Sequence, residues 1–227
     1  MQFSQQDNTV IRSTDSTSVL ATNKVLRNTY ALLSMTLLFS GAMSAVAIAT
    51  NASIVNPWLT LLGYFGLLFL TGALRNSAWG ILSVFALTGF MGYTLGPIVH
   101  LYLHQFVNGP QLVFMALTGT GIIFVALSAY ALISKKDFSF LSGFIMAGLI
   151  VAFLASLAAM FFHVTVLMLA VSAAFILLSS GVILIQTSQI IQGGETNYIM
   201  ATITLYVSLY NIFISLLQLL GAFSNRD

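Results

Sequence analysis

The stretch QTSQIIQGGETNYIMATITLYVSLYNIFISLLQLLG, residues Gln186–Gly221, decides the fold. Gly193 and Gly194 break one apolar helix, and a second begins within a few residues. Along that second helix a small and polar set recurs at Asn197, Ala201, Thr204, Ser208, Asn211, Ser215 and Gln218. The steps alternate between four and three, so the set shares one helical face. Between its members lie Ile199, Met200, Ile203, Leu205, Val207, Leu209, Ile212 and Phe213. An amphipathic helix in water would carry charge on its polar face, and this one carries none. The pattern predicts a membrane helix that turns an uncharged polar seam toward its neighbours and its apolar side toward lipid.

The rest of the chain supports a lipid solvent. Of 227 residues, 59% are hydrophobic and only 5% charged, against roughly 25% charged in soluble domains. The mean hydropathy is +1.00. A net charge of +2 without a basic patch argues against nucleic acid as a partner. With no cysteine, disulfides and thiolate metal sites are excluded. Residues 1–23 are rich in Gln, Ser, Thr, Asn and Asp and read as a flexible tail. They show no cleavable signal, so the first membrane helix is expected to target the chain. Residues 24–227 form the membrane domain.

Helices are predicted at about Thr29–Thr50, Trp58–Leu74, Ala78–Leu103 and Gln111–Ile133, then three more. From Phe138 to Ile185 there is no Lys, Arg, Asp, Glu or Pro. One helix over these 48 residues would be about 72 Å long, more than twice the ~30 Å hydrocarbon core. It must fold back. His163 is the only ionisable residue inside, so the turn is placed there, with helices at about Phe138–Phe162 and Val164–Ile191. The seventh is about Tyr198–Phe223. The fold class is therefore all-α, a polytopic membrane protein of seven spans. No internal repeat is evident.

Seven spans put the ends on opposite sides. Arg12, Lys24, Arg27, Arg75, Lys135 and Lys136 fall on one side and only Arg226 on the other. By the positive-inside bias the N-terminus is expected in the cytoplasm and the C-terminus outside. Trp58 and Trp79 fall at opposite interfaces, as aromatic belts prefer.

Chemistry-bearing motifs are sparse. No Asp or Glu lies within a predicted span, which argues against a proton-coupled transporter. There is no HExxH pair, GxSxG elbow or Walker loop, so no enzyme is expected and no cofactor is implied. His100, His104 and His163 are too scattered to suggest a metal site and read as wetted helix ends. TGFMGYTLGPI, Thr88–Ile98, places Gly89, Gly92 and Gly96 for close helix packing, with Pro97 as a kink or hinge. Gly193 and Gly194 suit a left-handed helix end, and Glu195 suits the positive end of the next helix dipole.

Four stretches together resemble the Bax inhibitor-1 family: KVLRNTYALLSMTLLFS at Lys24–Ser40, LTGFMGYTLGPI at Leu87–Ile98, KKDFSFLSGFIMAGLIV at Lys135–Val151 and GGETNYIMATITLYVSLYNIFISLL at Gly193–Leu217. The resemblance spans about Lys24–Asp227 and is closest to a bacterial inner-membrane branch whose members modulate FtsH, a membrane-anchored, zinc- and ATP-dependent protease. It implies six helices around a central seventh, and FtsH as a partner within the bilayer. Other members are pH-sensitive calcium leaks that use a pair of buried aspartates. Those positions fall here at Gln186, in LIQTS, and Ser208, in LYVS, and neither side chain ionises. The resemblance therefore implies a modulator that binds or occupies FtsH, with the ion leak as the alternative. Gln186 and Ser208 are expected to hydrogen-bond in place of the acids and lock the bundle. The polar tail is expected to serve as a handle for the protease.

Overall fold

The computed structural model describes residues 3–224, with side chains from Thr22 onward. Seven α-helices follow in order: α1 Phe3–Ala49, α2 Pro57–Leu74, α3 Trp79–Gln105, α4 Gly109–Ser134, α5 Ser142–Phe162, α6 Thr165–Ile191 and α7 Tyr198–Ser224. Each contains a segment long and apolar enough to cross a membrane; in α1 it is Thr22–Ala49. The backbone of α1 thus begins well before the expected Thr29, and the boundary near residue 23 is a change of polarity within one helix. The side chains of the expected tail up to Ala21 lie outside the described residues, as does Arg226.

The charge-free stretch folds back where expected. His163 caps α5 in the left-handed region, with φ 55°, and its amide bonds to Ala159 O. Lys135 ends α4 in the same conformation. Gly193 does so after α6 with φ 75°, a geometry that costs glycine little. Helix α5 starts later than Phe138 because a 3-10 turn, Ser139–Leu141, precedes it. Asp137 Oδ1 accepts the Ser139 amide at 2.8 Å. Bonds from the Ser139 hydroxyl and amide hold the Asp137 carboxyl below the usual carboxylate range.

Helix α7 packs directly on α1, α3, α4 and α6, while α2 lies on α3 and α5 lies on α6. The interior is an apolar block: Leu33, Leu87, Ile183, Ile203, Leu205 and Ile212 are among its fully covered side chains. Helix α3 is as deeply set as α7, and its glycines explain why. At Gly92 an added Cβ would run into Ser40 O of α1, and at Gly96 it would sit 2.7 Å from Ser44 O. Two backbones meet here at a distance only hydrogen side chains permit. Gly89 faces the edge of the Phe39 ring. Helix α3 runs through Pro97 without a break.

Candidate functional site

Along most of its length helix α7 has no lipid side, and only Phe223, in its last turn, stands exposed. Ile199, Ile203, Leu205, Leu209, Ile212 and Phe213 are all buried among the other helices. The expectation that this apolar side meets lipid is corrected: it forms the core against α1, α3 and α4. Lipid instead meets the outer helices, where Phe69, Phe114, Phe144 and Phe161 stand exposed. Periodicity finds the two faces of α7, but a helix at the centre has both covered: Ala201, Ser208 and Ser215 of the seam are buried as well.

A cavity of about 490 Å³ lies on the apolar side between α1, α3, α4 and α7. Two more lie along the polar seam, bordered by residues of α2, α3, α5, α6 and α7. One, of about 430 Å³, is lined by Asn211, Ser215 and Gln218 of α7, with Thr94, Ser156 and Ser172 opposite. The other, of about 680 Å³, lies toward the Arg75 end and is lined by Thr204, Ser208, Asn211 and Ser179. Asn211 borders both, so it stands at the division between them. Among the described residues, Arg75 is the only charged side chain on either lining.

The hydrogen bonds show what each seam residue does. Gln218 Oε1 accepts from Ser172 Oγ at 2.7 Å, joining α7 to α6. Ser208 Oγ donates to its own helix, to Thr204 O at 2.8 Å. Asn197 is a cap as well as a seam residue. Its Oδ1 accepts the Ile199 and Met200 amides at 3.0 and 3.1 Å, which satisfies donors that every helix N-terminus leaves free. Its Nδ2 donates to Arg75 O and Asn76 Oδ1, both at 3.0 Å, tying the α6–α7 turn to the α2–α3 turn. Glu195 Oε1 accepts the Asn197 amide at 2.7 Å, which puts the carboxylate at the start of α7. The Gly193 and Gly194 amides bond back to Ile190 O and Gln189 O, closing α6.

The Gln186–Ser208 bond expected from the family's acid positions is not made. Ser208 is satisfied by Thr204, and Gln186, although buried, leaves Nε2 without a partner among the described residues. The lock across the bundle is made by Tyr206 instead. Its hydroxyl is 2.6 Å from Ser40 Oγ of α1 and 3.3 Å from Thr88 O of α3. Nothing in the linear sequence separates Tyr206 from the other aromatic residues of α7; only the approach of α1 and α3 selects it. A second tie, Ser188, accepts the Phe138 amide and donates to Lys136 O, pinning the α4–α5 turn to α6.

Chemically, this interior is neutral. The buried polar side chains among the described residues are Ser, Thr and Gln, together with the Tyr206 hydroxyl. Such groups bond to one another, to water or to uncharged polar atoms. A divalent hard cation asks for carboxylates as well, and the seam supplies none.

Residues 22–225 match the family model described as inhibitor of apoptosis-promoting Bax1. The chain is 53% identical over 223 residues to the Escherichia coli K12 protein named modulator of FtsH protease YccA, covering 97% of this chain and 100% of that one. A protein of another Escherichia coli strain, named inner membrane protein YccA, matches to the same extent. An uncharacterized Pseudomonas aeruginosa protein, PA2604, is 55% identical over 203 residues, 89% of this chain and 91% of the relative.

Proposed function

The chain belongs to the family of the inhibitor of apoptosis-promoting Bax1, and from that premise we propose that it is an inner-membrane modulator of the FtsH protease. The observation that carries the reading is a full-length correspondence, 53% identical, with a relative whose name states that role. The neutral seam supports it over the ion-leak alternative. Gln186 and Ser208, at the family's acid positions, have no proton to exchange and no charge to offer a cation.

The proposed action is occupancy. The charge bias puts the N-terminus in the cytoplasm, where FtsH would engage the polar stretch Met1–Asn23. Behind it stand seven helices cross-tied by Tyr206, Asn197, Ser188 and Gln218, which resist extraction. The protease holds a substrate that it digests poorly, and other substrates wait. The chain itself needs no catalytic group for this, and FtsH supplies the ATP-driven pull.

The test is FtsH co-reconstituted with the protein in vesicles, with ATP and a labelled membrane substrate. Full-length protein is expected to slow loss of the label severalfold, and a version lacking residues 1–23 to lose most of that effect. No slowing by the full chain would refute the modulator role. Equal slowing by the truncated chain would refute only the handle.

A further inference from the structure

The last turns of α3 bring together two histidines first read as separate helix-end residues. His100 and His104 are four apart and leave α3 on one face. Their rings stack with centroids 4.0 Å apart and planes 28° from parallel. His104 Nδ1 lies 2.9 Å from His100 O. A carbonyl oxygen only accepts, so this bond puts the proton on Nδ1 and the lone pair of the neutral ring on Nε2. Metal-ligating histidines are held in this way, with one ring N–H fixed on a carbonyl and the other nitrogen presented. The His104 side chain is exposed and His100 is half-buried. Neither His100 nitrogen has a hydrogen-bond partner among the described residues, so it is free to ligate.

We propose that His100 and His104 together bind a divalent transition cation of the class that favours imidazole, Zn²⁺, Cu²⁺ or Ni²⁺. The same four-residue spacing puts both histidines of an HExxH helix on one metal. No third His, Asp or Glu joins them among the described residues, so water completes the coordination. The site is open and exchangeable, unlike a closed structural zinc tetrahedron. Hard cations such as Ca²⁺ and Mg²⁺ prefer oxygen ligands and are excluded by the same chemistry. The pair sits at the end of α3 remote from Arg75, which the charge bias makes the extracytoplasmic end. A metal there staples the last turn of α3 just before the short turn into α4, and should stabilise the folded chain by mass action. This inference is independent of the FtsH reading.

The test uses full-length protein without a polyhistidine tag, in lipid nanodiscs, titrated calorimetrically with ZnCl₂ and with NiCl₂. One cation per chain is expected, together with a metal-dependent rise in unfolding temperature. His100→Ala and His104→Ala should each weaken binding by about tenfold or more and abolish that rise, while His163→Ala should change neither. Absence of binding at submillimolar metal, or binding that survives both substitutions, would overturn the proposal.

Discussion

Gly92→Ala destabilises the bundle by roughly 1–3 kcal/mol, the usual cost of overpacking, and Gly92→Leu prevents its assembly. The new Cβ would press on Ser40 O of α1 and lie 2.6 Å from Ser40 Oγ and 2.8 Å from Ser40 C. A main-chain carbonyl cannot swing aside as a side chain does, so α1 must move off α3. That displacement also pulls Ser40 away from the Tyr206 hydroxyl, 2.6 Å away, and loosens the bond from Tyr206 to Thr88 O. Three helices lose their common tie. Two other glycines set the scale. At Gly89 the nearest atoms belong to the Phe39 ring, 2.6 Å away, and a ring can turn, so Gly89→Ala costs less. At Gly41 an added Cβ meets nothing within 4 Å. Gly41→Ala should be neutral or stabilising by up to ~1 kcal/mol from helix propensity. Unfolding of the three alanine variants in detergent checks the order, and equal effects would show that α1 and α3 do not meet closely at Ser40.

Ser208→Asp has the second large effect. Ser208 is buried, and its hydroxyl is spent on Thr204 O. A carboxylate placed there faces a carbonyl oxygen and a lining whose one cation is the distant, exposed Arg75. Insertion scales put an Asp at mid-membrane at ~2.5–3.5 kcal/mol, so a loss of that order is expected at neutral pH. The penalty falls on the ionised form alone. The folded variant therefore binds more protons than the unfolded one, and its stability falls as pH rises from the ordinary Asp value of ~3.9 upward, until the folded carboxyl has ionised. Acidification should restore much of what the substitution removes. Wild-type protein has no ionisable group at this point and should not share that dependence. A Ser208→Asp variant as stable as wild type at neutral pH would mean that the position is wet and charge-tolerant.

The spans, and the turn within the charge-free stretch, were legible because both follow from length against bilayer thickness. The absence of any charge between Phe138 and Ile185 leaves His163 as the place to fold, and its φ of 55° marks the turn there. The seam was legible as a face, since a period of three and four is a property of the helix itself. Which face would be sealed was not. The pattern sends Ser208 toward protein and Ile203 toward lipid, and only the placing of α1, α3 and α4 around α7 shows that Ile203 is sealed as well. Side-chain partners were least legible. Asn197 gains its role from Arg75 and Asn76, more than a hundred residues away. Ser208 turns to its own backbone, where the family's pattern suggested Gln186. His100 and His104 meet because a helix brings positions four apart together, a signal that was present in their spacing.

The proposed modulator role predicts a neutral interior that holds the helices together and conducts no ions. Its most direct test is calcium release from vesicles containing the purified protein, followed at neutral and at acidic pH. The rate should match protein-free vesicles at both. A leak that requires the protein and quickens on acidification would contradict it.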